Sequence, residues 1–292
     1  MTNDIKRAVV IGAGAMGSGI ALVFARAGID VTLVDIDETG LHRAVSSIAE
    51  QLDRSVAKGR MDAAESSETK KRIITSTFLE GTASHADLAL EAIFENVDAK
   101  QELFRKLDAS LPEHAIIATN TSSISVTKLA ATVKNPGRVA GMHFFNPAPV
   151  MPLVEVVRAM QSAPETIDRI TKLAIACGKT PIESNDSPGF VGNRILLPMI
   201  NEAIFCLSEQ VADRDSIDRV MNLGMSHPMG PLALADLIGL DVCLSVLDVL
   251  QQEFGDDKYR PAPLLRTMVA AGRLGKKSGR GFYDYSTGET PG

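Results

Sequence analysis

The sequence predicts an α/β doubly wound sheet over residues 1–184, followed by an all-α domain over residues 185–292. Three observations carry this. A glycine-rich turn joins an apolar run to a helical repeat near the start of the chain. Short β-branched runs then alternate with helical segments as far as residue 184. Beyond "SNDSPGF" (184–190) apolar residues recur only at helical spacing.

Taken in order, Ala8 to Ile11 are an apolar run ended by glycine, which reads as a buried parallel strand. Gly12, Gly14 and Gly17 follow as G-x-G-x-x-G, with Ala15 and Met16 completing the loop. Ile20, Val23, Phe24 and Ala27 recur at helical spacing, Gly28 stops the helix, and Val31 to Val34 form a second strand closed by Asp35. Each part has a physical purpose: Gly12 for the tight turn, Gly14 for close approach of a pyrophosphate, Gly17 for close packing of helix on strand. The helix N-terminus offers unpaired N–H groups and the positive end of its dipole to phosphate. A lone glycine motif is a weak signal. Strand, helix, second strand and terminal acid in register make it the Rossmann-type dinucleotide arrangement. Asp35 can accept hydrogen bonds from both ribose hydroxyls and repels a 2′-phosphate. The residues after it, Ile36, Asp37 and Glu38, include no cation, so NAD is expected rather than NADP.

Residues 39–72 read as a polar helical arm, with Lys58, Arg60, Lys70, Lys71 and Arg72 around a glycine-containing break. Most of these charges read as a solvated face. Lys58 and Arg60 are the candidates for a patch that binds a phosphorylated tail. Strands are then expected at 88–92, 115–119, 138–141, 153–158 and 180–183, with helices at 99–107, 125–133 and 165–177. After the turn-rich junction, "VGNRILLPMINEAIFCLSEQ" and "LALADLIGLDVCLSVLDVLQQEF" are helical, and the second is apolar on more than one face. Such a helix needs burial on two sides, which predicts a homodimer formed through the C-terminal domain.

Composition limits the function classes. The chain has 292 residues, a formal net charge of −6 and three cysteines. An acidic chain is a poor general nucleic-acid binder. The cysteines have neither metal-ligand spacing nor a disulfide pattern, so a reducing compartment and no metal are expected. The N-terminus lacks a signal-peptide core, and no apolar run reaches the roughly 20 residues that span a bilayer. A cytoplasmic protein without membrane attachment is the reading.

In an open α/β sheet the ligand lies beyond the carboxyl ends of the strands. Glu95, Asn120, Ser122, His143 and Asn146 all follow expected strand ends, and Asn193 opens the first helix of the second domain, facing the same cleft. His143, in "MHFFNP", is one of only five histidines. As a general base it needs an orienting partner, and Glu155, set in the apolar "LVEVV", is the best candidate. From spacing alone two readings stand: a base paired with Glu155, or a core histidine packed between Phe144 and Phe145.

The chain resembles the short-chain L-3-hydroxyacyl-CoA dehydrogenases, including bacterial 3-hydroxybutyryl-CoA dehydrogenases. The blocks "GAGAMGSGIA", "EAIFENVDAKQELF", "ATNTSSIS", "GMHFFNPAPVMPLVEVV", "DSPGFVGNRIL", "HPMGPLALADLIGLDV" and "GKKSGRGFYDY" occur in the family's order over nearly the whole chain. The resemblance implies that His143 is the general base for the 3-hydroxyl proton and that Glu155 holds its tautomer. It implies that Ser122 and Asn193 bind substrate oxygens and that Asn146 helps orient the catalytic pair. Glu95, Lys100, Asn120 and Lys277 match positions that contact NAD; Ser122 and Asn146 are expected beside the cofactor as well. The arm around Lys58 matches the segment that meets the coenzyme A tail of an acyl-CoA substrate. No fused enoyl-CoA hydratase portion is present, which suggests the monofunctional type. Two other functions compete: a related NAD-dependent dehydrogenase of a free hydroxy acid, of the L-gulonate 3-dehydrogenase kind, which needs no basic arm, and a non-enzymatic NAD-binding protein, which has no need for Ser122, His143, Glu155 and Asn193 together.

Overall fold

The computed structural model describes residues 3–286, so the last six residues of the expected second domain lie outside it. The chain divides into two compact units, Met1–Ser187 and Pro188–Gly292.

The first unit is an eight-stranded sheet. Its strands are β1 (Arg7–Ile11), β2 (Asp30–Val34), β3 (Ile73–Ser76), β4 (Leu88–Glu91), β5 (Ile116–Thr119), β6 (Val139–Phe144), β7 (Leu153–Arg158) and β8 (Thr180–Asn185), and they lie in the order β3-β2-β1-β4-β5-β6-β7-β8. Strand order reverses between β1 and β4, the switch point at which such sheets bind ligands. The helices are α1 (Ala15–Arg26), α2 (Glu38–Ala57), α3 (Ala63–Lys71), α4 (Leu79–Ala83), α5 (Val97–Ser110), α6 (Val126–Ala130) and α7 (Pro164–Ala176). Val10, Leu33, Leu90, Ile116, Met142 and Val156 are among the buried residues of the main core.

Two features differ from expectation. β3, pairing parallel with β2, follows the arm directly; only the first of its four residues is a partly buried one facing the core cluster, so the periodicity that marks the central strands is weak there. β6 does not stop at Gly141 but runs to Phe144, so His143 lies within a strand. The link from Phe145 to Pro152 holds no helix, too little for a crossover, so β7 returns antiparallel to β6. The register follows: His143 stands directly opposite Glu155.

The arm is the helix pair α2 and α3. Asp37 caps α2 by accepting from the Thr39 N–H, and Asp62 caps α3 by accepting from the Glu65 N–H. Leu22 of α1 packs with Ile48, Leu52 and Met61 to hold the arm on the sheet unit.

The second unit consists of α8 (Gly192–Ser208), α9 (Arg214–Gly224), α10 (Pro231–Ile238), α11 (Leu240–Phe254) and α12 (Pro263–Ala270), packed around Ile204, Leu232, Leu247, Leu250 and Leu265. Two buried aspartates organise it. Asp218 accepts from the Leu232 and Ala233 N–H groups at the start of α10, and Asp236 accepts from the Phe282 and Tyr283 N–H groups of the closing segment. Each takes up donors that would otherwise be buried without partners.

Candidate active site

The glycine loop separates two physical demands. A Cβ on Gly12, whose φ is +107°, would come within 2.5 Å of the Ala92 carbonyl oxygen, and one on Gly17 within 1.7 Å of the Gly12 carbonyl oxygen. Both glycines are required by backbone packing. A Cβ on Gly14 would meet nothing within 4 Å. Gly14 therefore leaves an open approach to the start of α1, which has neither a side-chain cap nor an acidic residue in its first turn. Ala15 and Met16 open that helix. Donors without an internal partner, facing open space, are what a pyrophosphate needs.

Asp35 follows β2. Its Oδ2 accepts from the Ala13 N–H at 2.7 Å and its Oδ1 from the Asp37 N–H at 2.9 Å, so the carboxylate is fixed against the loop. A cavity of about 670 Å³ opens here, lined by Gly12, Gly14, Asp35, Ile36, Phe78 and Phe94 among others. Ile36, Phe78 and Phe94 are exposed, and flat or apolar groups at a cavity mouth suit the faces of an adenine ring. Gly-loop donors, an acid at the second strand end and an apolar cavity between them together fit a dinucleotide. Phe78 and Phe94 carried no sequence signal, because their exposure depends on how β3 and β4 end.

At the same end of the sheet lies the histidine. Its Nδ1 is 2.7 Å from Glu155 Oε2, and both side chains are buried. An ionised carboxylate can only accept, so Nδ1 carries the hydrogen and Nε2 keeps a lone pair. The two phenylalanines do not enclose His143 together. Strand alternation sends Phe144 to the other face, edge-on to Phe24 at 6.1 Å, and only Phe145 meets the imidazole, at 4.8 Å between ring centroids. The Phe144 N–H donates to Asn120 Oδ1 at 2.8 Å, which ties the turn after β5 to the histidine strand. Asn146 is exposed in the turn just beyond β6.

The turn after β5 is organised by Glu95. Its Oε1 accepts from the Ser122 N–H at 3.1 Å, from the Ser123 N–H and hydroxyl, and from the Thr121 hydroxyl. Burial pushes the Glu95 carboxyl up, but the Lys100 charge and these hydrogen bonds outweigh it and hold the group below the usual carboxylate range. Lys100 is enclosed, 1 % exposed, with its Nζ 2.7 Å from Glu95 Oε2 and 2.9 Å from Glu91 Oε1. The Lys100 amine is thus turned toward carboxylates rather than toward open space.

The five arm cations separate in the structure. Lys70 pairs with Asp53, Lys71 with Glu68 and Arg72 with Asp30. Lys58 and Arg60 are exposed and line a cleft of about 410 Å³ together with Arg26, Arg54 and Pro149. Arg54 was legible in principle, lying one helical turn before Lys58 on the same face. Arg26 comes from α1 and reaches the cleft only because the arm packs there. Asn193 lies in the first turn of α8 and Lys277 near the end of the chain, both in the second unit; Lys277 Nζ donates to Asp241 Oδ2 at 2.7 Å. No helix among the described residues is long and apolar enough to cross a membrane.

Comparison with known proteins identifies the family of the chain. Residues 7–187 match the family model described as 3-hydroxyacyl-CoA dehydrogenase, NAD binding domain, and residues 189–285 match the C-terminal domain of the same family. A probable 3-hydroxybutyryl-CoA dehydrogenase of Bacillus subtilis is 54% identical, over 97% of this chain and 98% of that one. A 3-hydroxybutyryl-CoA dehydrogenase of Clostridioides difficile is 45% identical, over 95% and 98%. The crystal structure of (S)-3-hydroxybutyryl-CoA dehydrogenase from Ralstonia eutropha superposes with a TM-score of 0.93 at 48% identity, over 97% of this chain and 99% of that one. The chain belongs to the 3-hydroxyacyl-CoA dehydrogenase family and is an NAD-dependent oxidoreductase of that family.

Proposed function

We propose that this chain interconverts (S)-3-hydroxyacyl-CoA and 3-ketoacyl-CoA esters of short chain length, of the 3-hydroxybutyryl and acetoacetyl type, with His143 as the acid–base group. The observation that carries the reading is the 2.7 Å bond between His143 Nδ1 and Glu155, fixed by strand register. It leaves Nε2 as the atom that takes the 3-hydroxyl proton in oxidation and returns it in ketone reduction. Glu155 holds the tautomer and stabilises the imidazolium that forms. When bound, NAD would supply the hydride acceptor. The glycine loop, Ala15, Met16, Asp35 and Glu95 would hold it, and Asn120, Ser122, Asn146 and Lys277 carry the other family-implied cofactor contacts. Lys100 serves the cofactor through Glu95. Ser122 and Asn193 are assigned to the substrate oxygens, and Asn146 to orientation of the pair.

Cleft cations support an acyl-CoA over a free hydroxy acid. Arg26, Arg54, Lys58 and Arg60 converge on one cleft, where a phosphorylated tail has four positive partners and a small acid has no use for them. The test is a nicotinamide-absorbance assay with acetoacetyl-CoA, longer 3-ketoacyl-CoAs and free acetoacetate, each with NADH and with NADPH. Preferred turnover of acetoacetyl-CoA with NADH is expected. Equal or better turnover of free acetoacetate would overturn the substrate reading.

The second unit supports a homodimer as part of the same proposal. Ile195, Val220, Leu223, Met225 and Leu237 expose apolar side chains from α8, α9 and α10 and from the turn after α9. A single sedimenting species of about 31 kDa at micromolar concentration would overturn it. Three free cysteines are consistent with the cytoplasmic location we assign.

A further inference from the structure

We propose that Glu91, a residue outside the assigned site, is a positioning residue that sets the Asn120–Ser122 turn against His143. The proposal rests on the assignment of Ser122 to the substrate oxygen.

Glu91 is the last residue of β4 and is fully buried. Its register partner on β5 is Thr119, the last residue before the turn. Both carboxylate oxygens are committed. Oε1 faces Lys100 Nζ at 2.9 Å and accepts from the Ile93 N–H at 2.8 Å; Oε2 accepts from the Thr119 hydroxyl at 2.6 Å. Two routes lead from there to the same turn. In the first, Thr119 Oγ1 accepts from the Thr121 N–H at 3.1 Å. In the second, Lys100 reaches Glu95, whose Oε1 accepts from the Ser122 N–H. The Glu91 carbonyl also accepts from the Asn120 N–H at 2.8 Å, and Asn120 in turn holds the Phe144 N–H beside His143.

A carboxylate buried this deeply is costly to keep charged; burial pushes the Glu91 carboxyl upward. Neutralising Lys100 alone does not require it, because Glu95 already faces that ammonium. What Glu91 adds is a rigid link between two strand ends and the turn that carries Ser122. A turn held by backbone donors at both ends cannot drift by the ångström that a proton or hydride transfer geometry does not tolerate.

The test is a double-mutant cycle in the full chain, using acetoacetyl-CoA and NADH. Glu91→Gln keeps the shape and removes one acceptor; Thr119→Val removes the hydroxyl without touching charge; Ser122→Ala removes the group that is positioned. Glu91→Gln and Thr119→Val are each expected to lower kcat about tenfold, well inside the hundredfold that a 1 Å misplacement can cost, with the Kd for NADH within about twofold. In the Ser122→Ala background the same changes should cost less than about threefold, and Thr119→Ser should recover most of the rate lost in Thr119→Val. An equal factor in both backgrounds, or a loss confined to NADH binding, overturns the positioning role while leaving Ser122 in place. Near-normal turnover of Ser122→Ala itself overturns the Ser122 assignment and this coupling with it. Should Glu91→Gln fail to fold, the Thr119 pair carries the cycle alone.

Discussion

Lys100 and Lys58 are both cations of the sheet unit, and their surroundings are opposite. Lys100 is enclosed between Glu91 and Glu95, each of which is bonded onward to the turn after β5. Lys58 caps the end of α2, exposed, among three arginines with which it shares only a cleft. The first region has its charges fixed by hydrogen bonds, so it can define the position of an atom. The second has its charges on long solvated side chains, so it can define a potential but not a position. The proposed chemistry divides along the same line: proton and hydride transfer need placed atoms, while the tail of the substrate needs only a favourable field.

The sharpest way to break this comparison is at the histidine. His143→Gln should lower kcat by about a thousandfold, in the middle of the range that a general acid–base group supplies, while the Kd for NADH stays within a few-fold. Stopped-flow and steady-state rates in both directions check it. Near-normal turnover would remove His143 from the chemistry. Glu155→Gln keeps the shape of the pair but replaces a pure acceptor by a group that can also donate, so the tautomer is no longer dictated. A loss of about a hundredfold in kcat, with little change in KM, is expected. A pure rise in KM would mean that Glu155 supports binding and not the base.

How much of this was visible in the sequence depends on the range of the interaction. The glycine loop and Asp35 were legible because every part lies within one strand–helix–strand unit. His143 and Glu155 were legible as residue types and as a candidate pair, but spacing alone left a core-histidine reading beside that pair, because the pairing depends on β6 running three residues further than its apolar pattern suggested and on β7 returning antiparallel. The roles of Phe144 and Phe145 followed that same register and came out separated. Glu91 gave no signal at all: it ends an apolar run and reads as an ordinary strand terminus, and the role proposed for it works through Thr119, on the neighbouring strand, and Lys100, on the helix that follows. The cleft was half legible, since Arg54 shares the face of Lys58 while Arg26 is brought in by packing.

Asp35 lies between the two extremes, with a fixed carboxylate at the edge of an open cavity. Asp35→Ala removes the repulsion against a 2′-phosphate and the acceptor for ribose hydroxyls. The ratio of kcat/KM for NADH over NADPH should fall about tenfold, mostly through weaker NADH binding, in line with a hydrogen bond to a charged group. If NADPH already outperforms NADH in the unmodified protein, the assignment of Asp35 as the selecting acid fails.

The smallest effects are expected where the charges are most exposed. Arg54→Ala, Lys58→Ala and Arg60→Ala should each raise KM for acetoacetyl-CoA only about two- to fivefold and leave kcat unchanged, because an exposed cation contributes at most about 1 kcal/mol to a single contact. The signature lies in salt rather than in size. Raising ionic strength from about 0.01 M to about 0.15 M shortens the screening length from about 30 Å to about 8 Å, so KM of the unmodified protein should rise with salt and the triple variant should have lost most of that slope. Free acetoacetate, which has no phosphorylated tail, should show neither the mutational nor the salt effect. An unchanged salt slope in the triple variant would place the tail elsewhere; a fall in kcat would mean that the arm shares the rigid, atom-placing character of the turn after β5, and the contrast between Lys58 and Lys100 would no longer hold.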